Sequence, residues 1–177
     1  MGYASTNTKV ENNAAVPASK FDLSQWKINV PVDLNNDGKI DTIDVEEIQT
    51  YAHPDFFYLD EPGYMVFTSL NKALTSANST NTRSELRQMI RGANTKIKTK
   101  NSKNNFALAV HPLSERFGSV GGKMEATLKV DHVALRATDP NKKAAYSVVG
   151  QIHAGKDQAL IDTKLGYEWG NEPLKIY

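Results

Sequence analysis

Thr82-Arg83-Ser84-Glu85-Leu86-Arg87-Gln88-Met89-Ile90-Arg91 alternates strictly. In an extended chain every second side chain shares a face, so Arg83, Glu85, Arg87, Met89 and Arg91 fall on one side. Ser84, Leu86, Gln88 and Ile90 fall on the other. Leu86 and Ile90 are natural core residues, so the face carrying the arginines points away from the core. The same period of two recurs along the chain. Trp26, Ile28 and Val30 alternate with polar residues, as do Met124, Ala126, Leu128 and Val130 between Gly122 and Val133. Tyr64 to Ser69, Phe106 to Val110, Tyr146 to His153 and Leu174 to Tyr177 are further short β-rich runs. Val45 to Tyr51 fits one or two helical turns. Many short strands punctuated by Gly, Pro and Asn predict an all-β fold, a β-sandwich or jelly roll.

The chain has 177 residues, enough for one domain with a sizeable core. Lys+Arg number 21 and Asp+Glu 20, giving a net charge of +1. That balance argues against nucleic acid or a membrane surface as a general partner, since both need a basic excess. An acidic ligand must then be met by a local basic cluster. With no cysteine, disulfides and thiolate-bound metals are excluded within these residues. Residues 1–20 are rich in Asn, Ala, Ser and Thr and read as a flexible leader before a domain over 21–177. They lack the apolar run of a signal peptide. Leu174-Lys175-Ile176-Tyr177 stops without a turn or cap, so 177 residues are expected to hold only the N-terminal part of the domain.

Two strand faces carry candidate chemistry. On the first, Glu85 can hold Arg83 and Arg87 through charge-assisted hydrogen bonds, and two fixed guanidinium forks suit a carboxylate. The plain alternative is a solvated face with ion pairs of little energetic weight. On the second, Val148-Val149-Gly150-Gln151-Ile152-His153 places Gln151 and His153 two apart, on one side. His transfers protons near neutral pH, and Gln offers both a donor and an acceptor. The plain alternative is a half-exposed His and Gln at a strand edge.

Together these segments resemble the family 7 polysaccharide lyases, the alginate lyases. Arg83-Ser84-Glu85-Leu86-Arg87 matches the family's Arg-Ser/Thr-Glu-Leu/Val-Arg segment, and Gln151-Ile152-His153 its Gln-Ile/Val-His segment. Asp22-Leu23-Ser24-Gln25-Trp26-Lys27-Ile28-Asn29-Val30-Pro31 is similar to its first strand, and Glu172-Pro173-Leu174-Lys175-Ile176-Tyr177 to another. The resemblance implies a jelly roll of two curved antiparallel sheets with a substrate groove on the concave face. It implies that Arg83, Gln151 and His153 neutralise a uronate carboxylate, that His153 is the base for guluronate, and that Glu85 and Arg87 shape the substrate-binding floor. It implies alginate as the partner, no metal or redox cofactor for the chemistry, and a secreted or periplasmic location. The family's third motif, Tyr-Phe-Lys-Ala-Gly-x-Tyr-Asn-Gln, supplies the acid from its second Tyr. Nothing here matches it, so a missing C-terminal part or a second chain is expected to supply that residue. A non-catalytic carbohydrate-binding jelly roll and a lyase for another polyuronate, such as glucuronan, are the competing readings.

Asp33-Leu34-Asn35-Asn36-Asp37-Gly38-Lys39-Ile40-Asp41-Thr42-Ile43-Asp44 fits much of an EF-hand loop. Asp33, Asn35, Asp37 and Asp44 are candidate ligands for a structural calcium ion, although Asp replaces the usual final Glu. The alternative is a plain Asn-Asp-Gly turn.

Overall fold

A computed structural model describes residues 15–77, 79–97, 123–133, 135, 147–152, 162 and 174–177. The strands are β1 (Trp26–Val30), β2 (Asp41–Ile43), β3 (Phe57–Leu59), β4 (Met65–Phe67), β5 (Glu85–Gln88), β6 (Gly150–Ile152) and β7 (Leu174–Ile176). Every pairing between them is antiparallel, so the fold belongs to the all-β class read from the sequence. Among the described residues no helix is long and apolar enough to cross a membrane. The chain divides into two units, Met1–Ala93 and Asn94–Tyr177.

In the first unit β1 is central, in the order β2-β1-β5. Its register pairs Ile28 with Ile43 and Leu86, and Asn29 with Thr42 and Glu85. Directly opposed residues share a face. One face of the sheet therefore carries Ile28, Val30, Ile43 and Leu86, and the other carries Lys27, Asn29, Thr42, Glu85 and Arg87. The apolar face packs with Leu23, Ile48 and Phe57 into the core, with Trp26, Tyr51, Met65 and Leu86 against it. Pro31 follows the last residue of β1 and has no N–H to extend the ladder. Val45 to Tyr51 contributes a single 3-10 turn, Glu47–Gln49, whose Ile48 is fully buried.

β3 and β4 form a hairpin closed by Asp60, whose carboxylate accepts the Tyr64 N–H at 2.6 Å. Gly63 sits in that turn at φ +82°, where any side chain would be strained and would also strike Lys20. The segment read as a leader is corrected at its end. Pro17–Ser19 forms a 3-10 turn with Pro17 buried, and Ala15 bridges Leu59. Burying Pro17 leaves no donor unsatisfied, because proline has none. Residues 1–14 lie outside the described residues.

The alternation from Thr82 to Arg91 holds only through β5. After Gln88 the Met89 N–H bonds to the Gln25 carbonyl, and the Gly92 N–H bonds back to Met89. That turn swings Met89 into the interior, 7% exposed, so its expected place on the arginine face is corrected.

In the second unit β6 pairs with β7, matching Gln151 with Lys175. Among the described residues, 123–133 take part in no ladder, where the sequence predicts a strand. Two exposed ion pairs link residues two apart there: Lys123 with Glu125 at 2.8 Å and Lys129 with Asp131 at 2.5 Å. The expected runs Phe106 to Val110 and Tyr146 lie outside the described residues.

Candidate active site

Arg83 lies two residues before β5 and is held from several directions. Flanking residues set its direction. The Thr82 hydroxyl donates to the Leu70 carbonyl at 2.6 Å, and the Ser84 hydroxyl to the Phe56 carbonyl at 2.9 Å. Both neighbours are tied to one side, so Arg83 turns to the other. Its Nη1 donates to Glu85 Oε2 at 3.1 Å, an ion pair whose side chains are about a quarter exposed (24% and 26%). Its Nη2 donates to the Ser79 hydroxyl at 2.7 Å. Nε is buried, and no group among the described residues accepts its N–H.

Arg87 is held differently. Its Nη1 donates to Asn29 Oδ1 at 3.5 Å. Asn29 is only 4% exposed, and its amide nitrogen donates to the Asp41 carbonyl at 3.2 Å and to the Thr42 hydroxyl at 2.6 Å. Those two acceptors fix the amide's orientation and leave the oxygen towards Arg87. The expected Arg83–Glu85 contact is present, and Glu85 and Arg87 share the face as read. Asn29 and Ser79 were not anticipated. Alternation on β1 could have placed Asn29 on the polar face, but nothing in the Ser/Thr/Asn-rich stretch 75–82 singles out Ser79.

On the second unit Gln151 is half-buried in β6 and shares its face with Lys175, also half-buried, while Leu174 and Ile176 beside it are exposed. A Cβ at Gly150 would lie 3.2 Å from the end of Met124 and 3.8 Å from Ile176 Cδ1. Glycine thus leaves room for those apolar side chains beside Gln151. His153 lies outside the described residues.

The loop 33–44 is held by its own side chains. Asp33 accepts the Asp37 and Gly38 N–H groups, Asn35 accepts that of Asp37, and Asp37 accepts that of Lys39, all at 2.9 Å. Asn36 and Gly38 take positive φ, 58° and 80°. Among the described residues no three His, Cys, Asp or Glu side chains gather to hold a metal. The loop's geometry accordingly rests on Asx-type bonds to the backbone.

Tyr51 and His53 have shifted acidities. Burial, reinforced by Asp41, pushes the Tyr51 phenol up to about 12. Burial pulls His53 below its ordinary value, with Asp55 opposing; its Nδ1 accepts the Asp55 N–H at 3.2 Å.

The profile of the family described as alginate lyase matches residues 21–177. A curated protein named alginate lyase, from Klebsiella pneumoniae, is 46% identical over 158 residues, covering 85% of this chain and 51% of the relative. The chain thus spans about half the length of the curated relative it matches. The crystal structure of the alginate lyase from Klebsiella pneumoniae superposes with a TM-score of 0.50 at 46% identity, covering 55% of this chain and 35% of that one.

Proposed function

The chain belongs to the alginate lyase family, and from that premise we propose that it serves as an endo-acting lyase breaking the 1,4 bonds of alginate by β-elimination. The observation that carries the reading is the Arg83–Glu85–Ser79 arrangement at the start of β5, within the family match. The C5 proton of a uronate is a weak acid while the neighbouring carboxylate keeps its charge. Arg83, with Gln151 and His153, neutralises that carboxylate and so stabilises the enolate-like intermediate. His153 removes the proton, the C4–oxygen bond breaks, and the departing oxygen is protonated. Glu85 and Arg87 form the floor beneath the sugar.

In this reading guluronate-containing stretches are favoured, the enzyme works outside the cell, and the general acid comes from a segment or second chain that carries the absent tyrosine motif. These steps need no metal. Calcium in the 33–44 loop, if bound, would be structural.

The test is the ultraviolet absorbance of the unsaturated sugar end as the protein acts on alginate, guluronate-rich and mannuronate-rich, with the mass of the active species checked. The signal should rise, and His153→Ala should abolish it while leaving oligosaccharide binding in place. Binding without any cleavage by the intact protein would instead establish a carbohydrate-binding module. Cleavage of glucuronan in preference to alginate would move the assignment to another polyuronate.

A further inference from the structure

The Ser79 hydroxyl is engaged chiefly as an acceptor. It accepts Arg83 Nη2 at 2.7 Å and the Asn81 N–H at 3.1 Å, and it donates to the Asn81 carbonyl at 3.5 Å. A hydroxyl has two lone pairs, and these two accepted bonds occupy both. The Ser79 N–H in turn bonds to the Ser76 carbonyl at 3.0 Å, which ties the residue into a turn. Ser79 is therefore a fixed acceptor rather than a rotating surface hydroxyl.

Its partner needs such an acceptor. With the Arg83 Nε–H lacking an acceptor among the described residues, the tilt of the guanidinium plane is set from its two ends. Glu85 holds Nη1 and Ser79 holds Nη2. The two ends differ in kind. Glu85 brings a negative charge that offsets the arginine, whereas Ser79 is neutral and orients the fork without weakening its field. A guanidinium binds a carboxylate best when its planar fork meets the oxygens squarely, so an error in tilt is an error in charge stabilisation.

We propose that Ser79 is a positioning residue for Arg83. It sets the angle at which the guanidinium meets the uronate carboxylate and so acts on the rate of elimination rather than on substrate capture. The kinetic part of this inference rests on the lyase reading; the clamp itself does not.

Two measurements separate these parts. Nitrogen-15 NMR of the arginine side chains in the full chain reads rotation about the Arg83 Nε–Cζ bond. Ser79→Ala should speed that rotation at Arg83, and Ser79→Thr, which keeps the hydroxyl, should restore it. Unchanged rotation in Ser79→Ala would overturn the clamp. In the lyase assay Ser79→Ala should lower kcat about tenfold, the scale of one lost orienting hydrogen bond, with KM nearly unchanged and kcat recovered in Ser79→Thr. A drop that tracks a lowered melting temperature, or a change in KM alone, would overturn the positioning role. An intact protein that never cleaves would remove the lyase reading, while the NMR result would still decide the clamp.

Discussion

The two units support their polar strands by different means. In the first, β5 lies beside a central strand whose other face is sealed by Ile28, Val30, Ile43 and Phe57, so Arg83 and Glu85 stand on a rigid base. In the second, Gln151 stands on a ladder that is two-stranded among the described residues, and large apolar side chains beside it stay open to solvent. Met124 is 59% exposed, Leu174 47% and Ile176 46%. An isolated two-stranded ladder is marginally stable in water. Rigidity of a polar face is thus supplied by what lies behind it rather than by the polar residues themselves.

The largest test of that contrast removes the backing. Phe57 is fully buried and its ring lies 5.4 Å from that of Phe67. Phe57→Ala should cost about 3–5 kcal/mol, measured by urea unfolding, and should loosen Arg83 as well. Ile176→Ala, at a half-exposed site, should cost under about 1 kcal/mol in the same experiment. Equal costs would erase the distinction between the units.

A smaller effect is expected in alkali. The folded Tyr51 phenol ionises near 12, above its ordinary 10.0. Folding therefore favours the protonated form. That contribution is fully present below pH 10 and is lost as pH rises towards 12. Tyr51→Phe should flatten the fall in melting temperature over that window. His53 works in the opposite sense. Its lowered value makes its contribution full above 6.5 and lost as pH falls below that, which His53→Gln should remove.

The smallest effect belongs to the 33–44 loop, because backbone N–H groups already satisfy its carboxylates. Adding chelator should move the melting temperature by no more than about 1 °C, and a shift of several degrees restored by calcium would establish an ion there.

Much of the first unit was legible because a period of two fixes which side of a strand faces the core. Trp26 to Val30 and Glu85 to Gln88 follow that rule, and the polar face carrying Glu85 and Arg87 came with it. Met89 escaped because a turn begins one residue after Gln88, and alternation says nothing about where pairing ends. Ser79 escaped because its contact is made by loop geometry, four residues from Arg83, with no repeating pattern to reveal it. Asn29 escaped although alternation on β1 puts it on the polar face, since only cross-strand register shows which residues an asparagine touches. Gln151 sits in a strand as read, yet its neighbour Lys175 is 24 positions away and becomes a neighbour only through pairing.

The family match begins at Phe21, whereas residues 15–20 already contribute to the fold. Anyone trimming the gene to the matched region would cut through the protein rather than beside it. The excision would uncover the pocket filled by the ring of Pro17, strip the partner from the Leu59 edge, and free Lys20 from the Pro62 carbonyl. Expression of such a fragment should yield more aggregate than one starting a few residues earlier, because an unprotected strand edge recruits other chains.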